Sequence, residues 1–303
     1  MTLYSIRLYI SPEQKFPGQE FRLTTLQDDA LARDLAVAAG QSLVDLRAGW
    51  QQAGAEDAAA LRGRGDRQSH EFLVAELARL RPDDAVLSEE GADDPARLTA
   101  SRVWIVDPLD GTREYGEPGR TDWAVHVALW ERGELTAGAV ALPAQDRVLS
   151  TVELSTGDPV SPGAQDLHRA PDQHEPLRLL VSRSRPPEFV QELAERLGAE
   201  LVPMGSAGAK AAAVIDGQAD AYVHSGGQYE WDSAAPVAVA RAAGLHASRI
   251  DGSSLRYNQA HPSVPDILIS TAGLAPTLLA TISSVLRGAG PGHATLAPPT
   301  NVQ

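Results

Sequence analysis

The sequence predicts a layered α/β protein. In the second half of the chain, short apolar runs of strand length alternate with longer stretches in which apolar residues recur at helical spacing. In the first half, two stretches with helical periodicity precede a group of short apolar runs. With 303 residues, of which 43% are apolar and 22% charged, the chain is large enough to bury a substantial core.

The first half is expected to contain two helices followed by strands. Residues 1–23 are expected to form an extended lead-in, and residues 25–52 predict one long amphipathic helix. Residues 62–68, which include two glycines, predict a flexible loop, after which Ser69 would cap a second helix that Pro82 stops. Short apolar runs then predict strands at 85–87, 103–106, 123–130, 136–142 and 147–153.

The second half is expected to alternate strands with helices. Strands are predicted at 177–181, 200–203, 219–224 and 267–270, and helices at 187–197, 207–215, 232–243 and 274–286. A stretch rich in Pro, Gly, Asp, Gln and His separates the two halves. The predicted organisation is an N-terminal extension at 1–27, a metal- and phosphate-binding half at 28–154, a connecting loop at 155–176, a substrate half at 177–287 and a disordered tail at 288–303.

Composition excludes several kinds of site. The chain has no cysteine, so disulfides, iron–sulfur clusters, thiolate zinc sites and a cysteine nucleophile are ruled out. A formal net charge of −14 disfavours nucleic-acid binding, although an acidic enzyme can bind a small phosphate ester when metal ions reverse the local field. No apolar run has the length to cross a bilayer and no secretory signal is found, so a cytoplasmic location is expected.

The segment 107–112, Asp-Pro-Leu-Asp-Gly-Thr, carries the strongest chemical signal. Asp107 follows the predicted strand 103–106, at the edge where ligand sites of open α/β sheets usually lie. A turn could bring Asp110 and the carbonyl of Leu109 to the same ion as Asp107. Gly111 lets the backbone approach a ligand, and Thr112 could begin a helical turn whose free N–H groups meet a phosphate.

Two further carboxylates occupy similar positions. Glu89 follows an apolar run, and Asp232 lies at the predicted start of a helix. Carboxylate ligands without Cys or His select magnesium or manganese over zinc. Taken one at a time, these acids could equally be turn residues, helix caps or surface acids. Together, at the ends of separate elements, they favour a site in which two or more divalent ions offset their mutual repulsion.

These motifs together resemble the inositol monophosphatase superfamily, over residues 28–272. The resemblance rests on the segment 107–112, on Glu89 upstream and on the downstream segment 231–235, Trp-Asp-Ser-Ala-Ala. It implies an αβαβα sandwich, usually a homodimer, that hydrolyses phosphate monoesters with Mg²⁺ and is often inhibited by lithium. It also implies roles for single residues: Glu89, Asp107 and the Leu109 carbonyl would hold one Mg²⁺; Asp107, Asp110 and Asp232 would hold a second; Glu89 would contact a third through water; and the N–H groups of Gly111 and Thr112 would hold the phosphate.

Within this superfamily, Gly65-Asp66 followed by Glu89 resembles the 3′(2′),5′-bisphosphate nucleotidase branch. The resemblance implies that Asp66 and Thr112 orient and deprotonate the attacking water, with Glu89 as a further catalytic residue. An ordinary loop acid is the alternative for Asp66.

The residues that would choose the substrate are less distinctive. Ser206, in a Gly-Ser turn, and Lys210 are expected to help hold a second phosphate, although the turn is one residue longer than in that branch. His224 stands where relatives of the branch often carry Arg, and is expected to be a weaker anion ligand or merely a strand-end residue. Glu230 is expected to bind a sugar hydroxyl.

Three functions remain open on these grounds. The leading hypothesis is Mg²⁺-dependent hydrolysis of 3′-phosphoadenosine 5′-phosphate, or of its 5′-phosphosulfate, by metal-activated water. The alternative within enzymes is a sugar phosphatase acting on inositol monophosphate or fructose 1,6-bisphosphate. The alternative outside enzymes is an inactive homologue that binds phosphorylated ligands.

Overall fold

The structure is a computed structural model that describes residues 27–54, 57–156 and 176–288. The predicted N-terminal extension except Gln27, most of the predicted connecting loop and the predicted tail beyond residue 288 lie outside the described residues. No helix in the described ranges combines the length and the apolar character needed to cross a membrane.

The first half is built on a five-stranded sheet covered by two long helices. The helices are α1 (Asp28–Gln52) and α2 (Ala58–Leu80). The strands follow in spatial order as β1 (Ala85–Ser88), β2 (Arg102–Asp110), β3 (Ala124–Glu131), β4 (Glu134–Leu142) and β5 (Arg147–Ser150). β1 and β2 are parallel and the other neighbours antiparallel. The apolar faces of α1 and α2 form one core with this sheet, which includes the fully buried Leu31, Leu43, Leu73 and Trp104.

The second half carries its own five-stranded sheet. Its strands are β6 (Arg178–Ser182), β7 (Glu200–Met204), β8 (Ala221–Tyr229), β9 (His246–Ser248) and β10 (Ser263–Ser270), in the spatial order β7-β6-β8-β10-β9. β6 is parallel to β7 and β8, whereas β10 is antiparallel to β8 and β9. Two helices, α5 (Val190–Leu197) and α8 (Ala275–Gly288), pack in the core on one face of this sheet.

The remaining pair of helices forms a layer between the two sheets. These are α6 (Ala207–Ile215) and α7 (Glu230–Ala242), whose buried residues share a core with strands of both sheets. Both helices are rich in alanine, which favours helix and lets sheets approach closely. At Gly138 on β4, an added Cβ would come within 2.5 Å of the Ala238 side chain on α7. The predicted five-layer αβαβα sandwich is confirmed.

Short elements complete the fold, and several were not predicted. They are the 3₁₀ turns Pro95–Thr99 and Pro143–Gln145 and the helices α3 (Thr112–Gly116) and α4 (Thr151–Thr156). The predicted strand 147–153 ends at Ser150, where α4 follows, and the three-residue strand β9 was missed.

The prediction of a flexible loop at 62–68 is wrong, because these residues lie inside the continuous helix α2. Asp57, not Ser69, caps the helix by accepting the N–H groups of Ala59 and Ala60. The Ser69 hydroxyl instead donates to the carbonyl of Pro108, at 2.7 Å. Gly65 is buried where the helix passes so close to α3 that a Cβ would lie 2.9 Å from the Tyr115 ring. Tertiary packing therefore overrides the poor helix propensity of glycine.

This packing predicts opposite effects for two glycines of the same helix. Gly65→Ala should lower the free energy of unfolding by about 1–3 kcal/mol, because its Cβ would overlap Tyr115 and Leu109. Gly63→Ala is the matched control: the position is exposed with no neighbour within 4 Å of the new Cβ, so it should stabilise by about 0.5–1 kcal/mol. Urea denaturation measures both, and equal shifts would contradict the close approach.

Candidate metal centre and active site

Three carboxylates from both halves of the chain meet at one point. Asp107, Asp110 and Asp232 each offer one oxygen, and these oxygens all lie within 4.8 Å of one another. Asp107 and Asp110 are buried at the end of β2, and Asp232 is partly buried in the first turn of α7. The structure therefore brings together the segments that the sequence singled out, although they are more than 120 residues apart.

A bulge in β2 puts Asp107 and Asp110 on the same side of the sheet. Residues three apart in a regular strand face opposite sides. Asp107 pairs with His126 and Asp110 pairs with Ala124, so two residues of β2 stand opposite the single residue Val125 of β3. Pro108, which cannot donate to a ladder, lies in this bulge.

Gly111 closes the turn after Asp110. Its backbone has φ +81°, and an added Cβ would lie 3.1 Å from the carbonyl oxygen of Asp122 and 3.2 Å from Cβ of Ser206. Only glycine fits this conformation and this space. The chain then enters the short helix α3 at Thr112, as the motif predicted.

Asp232 is fixed by its own helix terminus. One carboxylate oxygen, Oδ2, accepts the backbone N–H of Tyr229 at 2.6 Å, which closes the first turn of α7. Pairing with that amide orients the group and leaves its other oxygen for the cluster.

The carboxylates of the cluster repel one another strongly. Burial and the neighbouring Glu89, Asp110 and Asp232 raise the pKa of Asp107 well above its usual value. Burial and Asp110 raise the pKa of Asp232 to about 7. Glu89 lies at the exposed rim of the site, and its carboxyl group hydrogen-bonds with Asp107. Desolvation of this carboxyl group by the surrounding protein and the charge of Asp232 likewise raise its pKa.

Asp110 is the exception. Burial would raise its pKa, but His126, Lys210 and the Ser206 hydroxyl outweigh burial and lower the pKa to about 2. The protein thus compensates the charge of one acid and leaves the charges of its neighbours to be compensated from elsewhere.

This arrangement fits one or more bound divalent cations. The donors are carboxylate oxygens only, which suits hard ions such as Mg²⁺ or Mn²⁺. Burial and the neighbouring like charges raise the pKa values of Asp107 and Asp232, so a cation between them would offset the repulsion that the fold creates. The Leu109 carbonyl, which already accepts the Thr112 hydroxyl at 2.9 Å, lies next to these acids.

Asp66 lies beside the motif threonine. Its Oδ1 is 3.4 Å from the Thr112 hydroxyl, at the long end of hydrogen bonding. Burial and then Glu90 raise the pKa of Asp66 to about 7. Asp66 and Thr112, predicted to act together, are therefore neighbours, and Asp66 reaches the site from helix α2.

A cleft of about 260 Å³ opens over the cluster, between the two halves. The residues that line it include four acids, Glu89, Asp107, Asp110 and Asp232, and four basic residues, Arg113, Arg183, Arg185 and Lys210. Acidic and basic side chains facing one cavity suit a ligand that is an anion and is held through cations.

Lys210 has a different role from the predicted phosphate contact. The side chain is buried, and Nζ donates to the carbonyl oxygens of Met204, Gly205 and Ser206. An ammonium group has three hydrogens, so all of them are engaged. Lys210 therefore holds the turn before α6 in place.

The Ser206 hydroxyl is likewise committed to the protein. It donates to Oδ2 of Asp110 at 2.5 Å and accepts the backbone N–H of Ala209 at 2.9 Å, capping α6. Both contacts leave it little capacity for a substrate phosphate, the role predicted for it.

His224 and Glu230 both make contacts within the protein. Burial lowers the pKa of His224 to about 4, so the ring is uncharged at neutral pH, and its Nε2 hydrogen-bonds to the Gly226 carbonyl. A neutral, buried ring is a poor anion ligand. Glu230 is only 1% exposed, and its two oxygens accept the backbone N–H groups of Asn258 and Gln259. Glu230 therefore organises a turn instead of facing the cleft.

Sequence reasoning missed three residues that the structure puts at the site. Fully buried His126 lies with Nε2 3.2 Å from Asp110, a contact that depends on the register between β2 and β3. Arg183 and Arg185 follow strand β6 and line the cleft. Their only signal in the sequence is their position after the carboxyl end of a parallel strand.

Comparisons with known proteins find related sequences and a related structure. Residues 27–286 match the model of the inositol monophosphatase family. A relative in Mycobacterium leprae named 3′-phosphoadenosine 5′-phosphate phosphatase is 49% identical over 269 residues, which cover 86% of this chain and 95% of the relative. A relative of the same name in Mycobacterium tuberculosis is 49% identical over 254 residues, 82% and 91% of the two chains. The crystal structure of CysQ from Bacteroides thetaiotaomicron, described as a bacterial member of that family, superposes with a TM-score of 0.64 at 26% identity, covering 82% of this chain and 98% of that one.

The raised pKa values predict how stability of the metal-free protein depends on pH. Between about pH 4 and 7 the folded protein retains protons at Asp107 and Asp232 that the unfolded chain has lost, because burial and like charges make these carboxyls ionise later when folded. The free energy of unfolding should therefore fall as pH rises, by up to about 1.4 kcal/mol per pH unit for each such group. Urea denaturation of chelator-treated protein from pH 5 to 8 measures the slope.

Asp232→Asn should flatten that slope, because it removes one of the late-ionising carboxyls. Asp83→Asn, at an exposed position outside the cluster, is the control and should leave the slope as in the wild type. An unchanged slope in Asp232→Asn would mean that the acids do not repel one another as described.

Proposed function

The chain belongs to the inositol monophosphatase family, and we propose that it is a Mg²⁺-dependent phosphatase that converts 3′-phosphoadenosine 5′-phosphate to AMP and phosphate. The observation that carries the proposal is the meeting of Asp107, Asp110 and Asp232 within 4.8 Å beneath a cleft with a basic wall. The names of the relatives from Mycobacterium support the choice of substrate.

In this proposal the carboxylates hold the cations and the motif turn holds the phosphate. Asp107, Asp110 and Asp232, with Glu89 and the Leu109 carbonyl, would be the ligands of Mg²⁺. When bound, the cations would lower the pKa of water and neutralise charge on the phosphoryl oxygens. The backbone N–H groups of Gly111 and Thr112 would face the phosphate that is cleaved.

Asp66 and Thr112 would handle the proton of the attacking water. A carboxyl group with a pKa of about 7 can accept a proton near neutral pH, and Asp66 has such a value. The Thr112 hydroxyl, between Asp66 and the Leu109 carbonyl, would orient the water. Water would add to phosphorus as the bond to the 3′-oxygen breaks. Asp66 would take the proton of the water and later release it to solvent, and the departing 3′-oxygen would take a proton from solvent, which gives AMP and phosphate.

Arg185 is the best candidate to hold the second phosphate. Arg183 also lines the cleft, but it hydrogen-bonds to Glu114 at 3.0 Å and to Glu117 at 2.7 Å, so its charge is compensated. Arg185 is exposed, lies close to Gly227 at the cleft and makes no ion pair within the described part of the chain. An uncompensated guanidinium suits a phosphate dianion. Arg185 thus takes the role that the sequence had suggested for Lys210 and His224.

Substrate profiling tests the function. With Mg²⁺, the protein should hydrolyse 3′-phosphoadenosine 5′-phosphate faster than inositol monophosphate or fructose 1,6-bisphosphate, measured as released phosphate. Asp107→Asn and Asp232→Asn should each remove nearly all turnover, because each removes a proposed metal ligand. The variants should keep the wild-type circular dichroism spectrum.

Two outcomes would contradict this assignment. A sugar phosphate as the best substrate would favour the sugar-phosphatase alternative. Binding of these esters without hydrolysis of any of them, at saturating Mg²⁺, would favour an inactive binding protein.

Arg185→Gln tests the second-phosphate contact. Loss of a charge-assisted hydrogen bond costs about 1.5–3 kcal/mol, so KM for 3′-phosphoadenosine 5′-phosphate should rise roughly 10- to 100-fold. KM for adenosine 3′-monophosphate, which lacks the second phosphate, should change little. Arg241→Gln, at an exposed position on α7, is the control. A parallel rise in KM for both substrates would mean that Arg185 does not contact the second phosphate.

A further inference from the structure

The two oxygens of Asp110 have very different surroundings. Two donors hydrogen-bond to Oδ2, the Ser206 hydroxyl at 2.5 Å and the backbone N–H of Gly208 at 2.9 Å, and Nε2 of His126 packs 3.2 Å from the same oxygen. Among the described residues, no hydrogen bond is found for Oδ1. One oxygen is therefore held by the protein, and the other is left for a ligand.

These three groups come from two separate elements. Ser206 and Gly208 lie at the start of α6, in the second half of the chain, and His126 lies on β3, in the first half. The amide of Gly208 is also at the positive end of the α6 dipole, which favours a carboxylate there. Asp110 thus joins the two halves at the metal cluster itself.

The surrounding sequence is shaped to make these contacts possible. A Cβ at Gly208 would lie 2.3 Å from Nε2 of His126 and 2.8 Å from the Val140 side chain. Only glycine allows helix α6 to approach Asp110 and His126 together. Lys210 fixes the same turn by binding the carbonyls before the helix, and Asp122 accepts the N–H of Gly205 at 2.8 Å.

His126 links Asp110 to the segment that carries Asp232. Its ring is fully buried, and Nδ1 lies 3.2 Å from the carbonyl oxygen of Trp231, the residue before Asp232. The ring therefore contacts Asp110 directly and contacts the backbone next to Asp232. Displacing the ring would remove one contact from Asp110 and one from the start of α7 at the same time.

We propose that Ser206, Gly208 and His126 anchor Oδ2 of Asp110, so that Asp110 offers a divalent cation only Oδ1. Ser206 and His126 are then positioning residues, and this inference rests on the proposed metal site. Groups that orient a ligating carboxylate typically change metal affinity by about 10- to 100-fold when removed. An unanchored Asp110 would rotate and lose the single orientation that matches Asp107 and Asp232.

Direct binding of Mg²⁺ or Mn²⁺ to chelator-treated protein, measured by titration calorimetry, tests the anchor. Ser206→Ala and His126→Leu should each weaken binding about 10- to 100-fold. Ser206→Thr keeps the hydroxyl and should restore affinity to within a few-fold of wild type.

The controls separate an anchor from a structural role. Ser248→Ala alters a buried serine on β9, whose hydroxyl donates to the Arg249 carbonyl, and should leave metal affinity unchanged. His126→Leu does not touch the cap of α6, so loss of the cap cannot explain its effect. If Ser206→Ala does not fold, His126→Asn, with a shorter side chain that cannot span both contacts, tests the same anchor.

Two results would overturn the inference in different ways. If Ser206→Ala and His126→Leu lower the urea midpoint but bind Mg²⁺ as wild type does, the residues are structural and the anchor is wrong. Asp107→Asn tests the metal site itself. If only Asp107→Asn loses Mg²⁺ binding, the anchor is wrong but the proposed function is unaffected. If Asp107→Asn binds Mg²⁺ as wild type does, the proposed metal site is wrong too.

Discussion

The repulsion between carboxylates that the fold forces together is the constraint on which the rest of the structure depends. Asp107, Asp110 and Asp232 approach within 4.8 Å in a largely buried setting, where like charges interact far more strongly than in water. Of the three, only Asp110 has protein groups that outweigh the effect of burial on its pKa. The others ionise late unless a cation is present, so the fold is complementary to the cations it is proposed to bind. The metal-free protein is therefore less stable than the metal-bound protein, and the same difference in free energy favours the binding of cations.

Such a cluster needs a rigid frame, because its acids come from both halves of the chain. Three sets of polar contacts join the halves around it. Arg183 binds Glu114 on helix α3, which follows the segment 107–112. Asp122 accepts an N–H from the turn before α6. Buried Arg97, in the segment between Glu89 and β2, donates to Asn258 at 2.8 Å, and Glu230 holds the backbone of that same asparagine. Each contact is buried or partly buried, where a satisfied polar network specifies one arrangement.

The features of the fold and of the site that could be predicted are those determined by residues close together in the sequence. The segment 107–112 encodes its own bulge, turn and ligands, so its chemistry follows from six neighbouring residues, and the alternating elements sufficed for the layered fold. Helix α2 was predicted only in part. Gly65 fits in this helix because the helix packs closely against Tyr115, and no local sequence pattern reveals that packing. His126 escaped notice for the same reason: its partner is set by strand register. The phosphate contact predicted for Lys210 stays a prediction; what the sequence did not reveal is that nearby carbonyls accept hydrogen bonds from its ammonium group.

Buried polar groups near the site bind other parts of the protein, and exposed groups remain for the substrate. This difference explains why the residues that select the substrate were the hardest to predict. Ser206, Lys210 and Glu230 are polar, lie on the substrate half and flank the motifs, yet all three are buried and satisfied by backbone or by Asp110. A buried polar group that already has its partners gains little by exchanging them for a ligand. Recognition of a second phosphate therefore falls to a side chain at the rim, where charge is left uncompensated. Arg185 meets that condition and Arg183 does not, so a difference of two residues in one loop separates a structural arginine from one free to select an anion.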